Sequence, residues 1–162
     1  METIDPVITR DIYPMPAFVT YVVADLEATV GWFTEALDFI SLITMPGPDG
    51  APALVHLRRW RYQDVLVRAR RPDEAATAPA TLGSPTFSVY AQTEELDGLA
   101  QRARAHPAGS VEGPINTPWN SRDLTATGPE GITVVFTARR PDGARDPEFN
   151  EYMVKLAREQ GL

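Results

Sequence analysis

A tryptophan and an arginine stand close together at the head of the alternating run Trp119-Asn120-Ser121-Arg122-Asp123-Leu124-Thr125-Ala126-Thr127, which meets a second alternation at the turn Gly128-Pro129-Glu130-Gly131. An indole beside a guanidinium at the mouth of a sheet offers a ligand a flat apolar face and a fixed cation. The run carries no obvious nucleophile and no cluster of metal-ligating side chains. Its chemistry is that of holding a ring rather than breaking a bond.

Elsewhere in the chain, groups that do chemistry are sparse. There is no cysteine, which excludes disulfides, thiolate metal sites and cysteine nucleophiles. Of the two histidines, His56 falls inside an apolar strand, where a hydrogen-bonded or surface role competes with a pocket-facing one. His106 closes a helix before Pro107, a position that favours a cation by the helix dipole. Arg58, Arg59, Arg61, Arg68, Arg70 and Arg71 crowd one hairpin. The simplest reading sends Arg68 and Arg70, which share a face, to solvent or to acids such as Glu94, Glu95 or Glu112; the sharper one is an anionic ligand.

Composition narrows the classes. At 162 residues and 43% apolar content, the chain can build a sizeable core as one domain or as two half-domains. The net charge of -7 argues against nucleic acid as a partner. The first residues lack the basic flank and apolar run of a signal peptide, and no stretch approaches the roughly 18 apolar residues of a membrane span, so a cytoplasmic, non-membrane protein is expected.

Periodicity then supplies the elements that must position these residues. Residues 17–23 read as a strand, and Asp25 caps a helix over 26–37 in which Trp32 and Phe33 face the core. Residues 39–45 form a strand, and 53–59 and 62–70 a hairpin. After a Pro, Ala and Thr linker at 72–84, the order repeats: a strand over 86–91, a helix over 94–105 capped by Thr93, and strands over 110–117, 122–127 and 132–138. The repeat divides the chain into modules at about 17–71 and 85–139. Asp146-Pro147 starts a final helix over 146–159, whose Phe149, Tyr152, Met153 and Leu156 share one face for packing on the domain or a partner subunit. Residues 139–145 read as its polar connector.

Two β-α-β-β-β modules, the Val23-Ala24-Asp25-Leu26 junction and the run from Trp119 to Gly131 together resemble the vicinal oxygen chelate superfamily, and within it the bleomycin-resistance-like subgroup. The resemblance covers residues 17 to about 138. It implies an α+β fold in which a curled mixed sheet lines a ligand cleft, residues 1–162 forming one domain, and a homodimer whose modules pair within a chain or across subunits. Enzymes of that superfamily hold a divalent metal in the cleft. The matching places here fall at or next to Phe18, near Thr86, at Val135 and within 65–70, and none offers a histidine or carboxylate.

With no metal and no cofactor expected, strand parity gives the lining. The faces holding those places carry Phe18, Thr20 and Val22, then Thr86, Ser88 and Tyr90, then Thr133, Val135 and Thr137. Trp119, Trp60 and Tyr62 stand at the rims. Trp60, at a hairpin turn, serves either a ligand or a dimer contact; Arg122 serves either a ligand or a carboxylate that anchors its loop. The expected ligand set is thus Phe18, Thr20, Trp60, Thr86, Ser88, Tyr90, Trp119, Arg122 and Val135, with no catalytic residue. The expected function is sequestration of a small aromatic compound, an antibiotic or other natural product. The alternative is an enzyme of the same superfamily, a lyase, isomerase or cyclase, which on these residues would work without a metal.

Overall fold

The computed structural model describes residues 9–11, 15, 17–74 and 86–161. Strand β1 (Phe18–Val23) leads to Asp25, whose carboxylate accepts the Ala28 N–H and caps helix α1 (Leu26–Gly31). The helix runs on as a π-helical turn, Trp32–Ala36, before β2 (Ile40–Pro46), β3 (Pro52–Arg58) and β4 (Asp64–Ala69). The second half repeats this with β5 (Thr86–Tyr90), a 3-10 turn (Thr93–Glu95), α2 (Leu96–Ala105), β6 (Ser110–Asn116), β7 (Ser121–Thr127) and β8 (Thr133–Arg139). Each half forms a four-stranded sheet, ordered β1-β4-β3-β2 and β5-β8-β7-β6, in which the first and last strands run parallel and the rest antiparallel. A parallel neighbour demands a crossover, which the helix of each module supplies. The fold is therefore α+β: two βαβββ modules followed by helix α3 (Pro147–Glu159).

Local differences from the expected elements have local causes. Gln92, not Thr93, caps the second module's helical segment, because its side chain and that of Glu95 exchange hydrogen bonds with each other's backbone in a capping box. Strand β4 starts at Asp64 rather than residue 62, since Tyr62 takes a left-handed φ of 66° in the hairpin turn. Of the expected linker at 72–84, residues 75–84 lie outside the described residues. No helix among the described residues is long and apolar enough to cross a membrane.

One side of each sheet packs on the helices. Tyr21, Val23, Leu57, Val65 and Val67 from the first module and Val89, Leu124, Val134 and Phe136 from the second close on Trp32, Phe33, Leu96 and Leu99 in one continuous core. Trp32 lies flat against the backbone of the second module. A Cβ on Gly128 would stand 2.4 Å from the indole ring, so the first glycine of the Gly-Pro-Glu-Gly turn is there for close approach.

The modules also grip each other reciprocally. The Glu130 carboxylate accepts the backbone N–H groups of Ala24 (2.6 Å) and Asp25 (3.0 Å), so the β7–β8 turn holds the strand-to-helix junction of the first module. In return the β3–β4 turn holds the corresponding junction of the second: Arg59 donates to the Tyr90 carbonyl (3.0 Å) and to Glu95 (2.6 Å), and Gln63 donates to the same carbonyl (2.9 Å). His106 and Glu35 (3.2 Å), with Arg102 and Asp38, join the helical segments.

Helix α3 is held differently. Asn120 receives the Asp146 N–H (2.8 Å) and donates to Asn150 (2.7 Å), fixing the start of the helix. None of its described side chains is buried. Phe149 and Leu156 are half-buried, whereas Tyr152 and Met153 of the same expected face stand in solvent.

Candidate functional site

Because the helices cover one side of each sheet, the other side is open, and parity decides what it carries. On the first sheet, cross-strand rows put Phe18 beside Asp64 and Arg58, Thr20 beside Leu66 and His56, and Val22 beside Arg68 and Leu54. On the second, Thr86 lies beside Thr133 and Thr127, Ser88 beside Val135 and Thr125, and Tyr90 beside Thr137 and Asp123. Phe18 (48%), Val22 (38%) and Tyr90 (39%) remain exposed in the single chain. Thus Thr86, Ser88, Tyr90 and Val135 come together on one open face, and Phe18 and Thr20 share another.

The remaining candidates divide. Trp119 projects from the β6–β7 turn at 61% exposure. Trp60 is 4% exposed, not at a rim: the Arg59 guanidinium stacks over its ring at 4.3 Å, and Tyr90 packs at 6.3 Å. The cover that its sequence position demanded comes from within the chain. Arg122 has the parity of the buried Leu124 and Ala126, so it lies on the helix-covered side of the sheet. There it pairs with Asp97 of α2 at 3.0 Å.

Two acids on the open faces escaped the sequence reading. Asp64, fully buried, accepts both the His56 Nε2 contact and the Arg58 Nε–H at 2.7 Å, while Arg58 donates onward to the carbonyls of Thr9 and Asp11. The signal lay in the hairpin register, which pairs Arg58 directly with Asp64. Asp123 accepts the hydroxyls of Ser121 and Thr137, both at 2.7 Å, in the row of Tyr90.

The hairpin arginines find partners, but Arg68 and Arg70 do not take the acids expected for them. Arg59 takes Glu95, but Arg70 faces Glu130 at 3.9 Å, and Arg68 forms a two-pronged pair with Glu74 at 2.6 and 2.7 Å. That hydrogen bonding from Arg68, then the Arg71 N–H, holds the Glu74 carboxyl down to about 2. A depressed carboxylate stabilises the fold fully above its ordinary range and loses that contribution as pH falls through its folded value. Glu74→Gln should therefore be less stable than the parent protein in urea titrations at about pH 6 and nearly equal to it at about pH 2. A gap that stays constant across that window would rule this out.

Among the described residues the donor set does not fit a divalent metal. Such an ion needs about three or four nitrogen or carboxylate ligands converging on it, and among the described residues no group of three histidine, aspartate or glutamate side chains is placed to do so. Phe18, Thr86 and Val135, the places that the resemblance in sequence would assign to ligands, carry a ring, a hydroxyl and an alkyl group.

No family model and no curated protein matches the sequence. Solved structures do match its fold. A glyoxalase/bleomycin resistance protein/dioxygenase from Nocardioides is 23% identical over 82% of this chain and 88% of its own, with a TM-score of 0.55. TnmS3, an antibiotic binding protein from a Streptomyces species, is 20% identical over 75% of this chain and 93% of its own, also at 0.55. The fosfomycin resistance protein FosX of Listeria monocytogenes, solved with Mn(II) and sulfate, is 12% identical over 78% and 93%, at 0.53. At these identities the likeness establishes the fold of the glyoxalase/bleomycin resistance/dioxygenase proteins, within which both metal-bearing and antibiotic-binding members occur.

Proposed function

We propose that this chain acts as one domain that binds and sequesters a small aromatic compound, an antibiotic or related natural product, as its structural neighbour TnmS3 binds an antibiotic. The observation that carries the reading is the make-up of the open faces. Phe18, Val22 and Tyr90 offer rings and apolar surface, and Thr20, Thr86, Ser88 and Thr137 offer hydroxyls, at places where metal chemistry would need ligands. Stacking on such rings contributes on the order of 1 kcal/mol per contact beyond area burial. In the single chain Phe18, Val22 and Tyr90 stand exposed on these faces, so a homodimer that sets one face against the other encloses the ligand. Protection is then by mass action and needs stoichiometric protein.

A second reading, a lyase or isomerase that works without a metal, has the His56–Asp64 pair behind it. A buried carboxylate that orients an imidazole is the arrangement of a general base. Turnover separates the two. With protein at a tenth or so of the compound concentration, sequestration predicts that tryptophan fluorescence reports binding, that the compound is recovered unchanged by mass spectrometry, and that protection saturates at the protein concentration. A new product formed in excess over protein would favour the enzyme and sink sequestration.

A further inference from the structure

His56 stands on β3 in the middle of the first sheet's open face. Leu66 and Ile43 flank it on the neighbouring strands, and Leu54 shares its parity on β3 itself. Opposite His56 and Leu54 on β2, Ile43 (47%) and Met45 (54%) are exposed, so this part of the face is an apolar surface with an imidazole set into it. The two ring nitrogens meet different surroundings. Nε2 lies 2.7 Å from Asp64 Oδ1, whereas Nδ1 has no hydrogen-bond partner among the described residues. The buried side-chain atoms that lack a partner there are Tyr21 Oη and Arg59 Nε, so Nδ1 is within reach of a molecule on the face. The His56 side chain keeps 15% of its surface exposed, while Asp64 behind it has none. Arg58 donates to the same Asp64 oxygen and already supplies its counter-charge, so His56 joins as a neutral ring that gives its Nε2–H to the carboxylate. That leaves a lone pair on Nδ1, an acceptor whose orientation a buried anion fixes.

We propose that His56 Nδ1 accepts a hydrogen bond from a phenolic hydroxyl of the ligand, an inference that rests on the aromatic-binding reading and names the ligand class for it. A ring without a donor, laid on this face, would cover the acceptor and leave it unsatisfied; a hydroxylated ring satisfies it. Leu54, Leu66 and Ile43 hold the ring, and His56 selects the hydroxyl. The His56–Asp64 pair then holds the hydroxyl proton in place without removing it.

The test compares 2-naphthol with 2-methoxynaphthalene, which keeps the ring system and the oxygen but has no proton to donate, by equilibrium dialysis against the full chain. The naphthol is expected to bind about tenfold more tightly than the ether, the margin set by an acceptor that is met in one complex and left unmet in the other. His56→Phe, which keeps a ring and removes the acceptor, should bring the two compounds within about twofold of each other, with far-UV circular dichroism checking that the fold is kept. Nitrogen-15 NMR of the histidine-labelled parent protein reads the same contact without a substitution. Since the chain has two histidines, the His56 signals are separable from those of His106. Nδ1 of His56 is expected to be the unprotonated nitrogen and to shift upfield with the naphthol but not with the ether. Equal binding of the two compounds by the parent protein, a preference that survives His56→Phe, or an Nδ1 signal that the naphthol does not move overturns the hydroxyl contact and leaves aromatic binding standing. Binding of neither compound overturns both.

Discussion

Asp64→Ala is expected to destabilise the protein severely, with a loss of about 3–5 kcal/mol and a fall in Tm of roughly 10 °C. The reason is electrostatic. Asp64 and Arg58 are both fully buried, and the carboxylate takes the Arg58 Nε–H and the His56 contact on the same oxygen. Removing it faces a desolvated guanidinium with an apolar methyl group, and breaking a buried ion pair from one side costs more than the pair itself contributes. Thermal unfolding followed by circular dichroism checks the number. Asp64→Asn provides the contrast: it keeps an acceptor for Arg58 while removing the charge, and should fall between parent and alanine. If alanine and asparagine unfold within a degree or so of the parent, the pair does not support the fold.

Arg59→Ala should cost about 3 kcal/mol and register at once in tryptophan fluorescence. Arg59 is fully buried between the Trp60 ring (4.3 Å) and the Phe136 ring (5.1 Å), one from each module, and its guanidinium bonds Gln63, Glu95 and the Tyr90 carbonyl. Truncation removes one of the two reciprocal grips and uncovers the indole. Trp60 emission is therefore expected to shift to longer wavelength before global unfolding. The Tyr90 carbonyl keeps its bond from Gln63, so Tyr90 is displaced rather than released. Unchanged emission together with parental stability would count against Arg59 as a joint between the modules.

Much of this architecture was legible in the chain itself, because strand and helix periods are local signals. The alternation over 122–127 and 132–138, the cap at Asp25, and the apolar crowding at Trp32 and Phe33 each depend on neighbours a few residues away, and the structure bears them out. Arg122 was decidable by the same logic, since it alternates in step with Leu124 and Ala126 and so had to share their buried side. Asp64 was within reach too, as the hairpin register sets it opposite Arg58.

What the sequence determined by itself was the order of the elements, the topology of the repeat and the identity of the side chains on each strand face, all consequences of short-range geometry. Only the tertiary structure decided the roles of Glu130, Arg59 and Trp60. Glu130 looked like a turn residue and proved to hold Ala24 and Asp25, more than a hundred positions earlier. Arg59 looked like one of a crowd of hairpin cations and became the second grip between modules. Trp60 looked like an exposed indole and was roofed by Arg59 and Tyr90. Each outcome depends on which distant backbone group or ring reaches hydrogen-bonding or stacking distance. That is set by how two helix-covered sheets pack together, and no local pattern of residues encodes it.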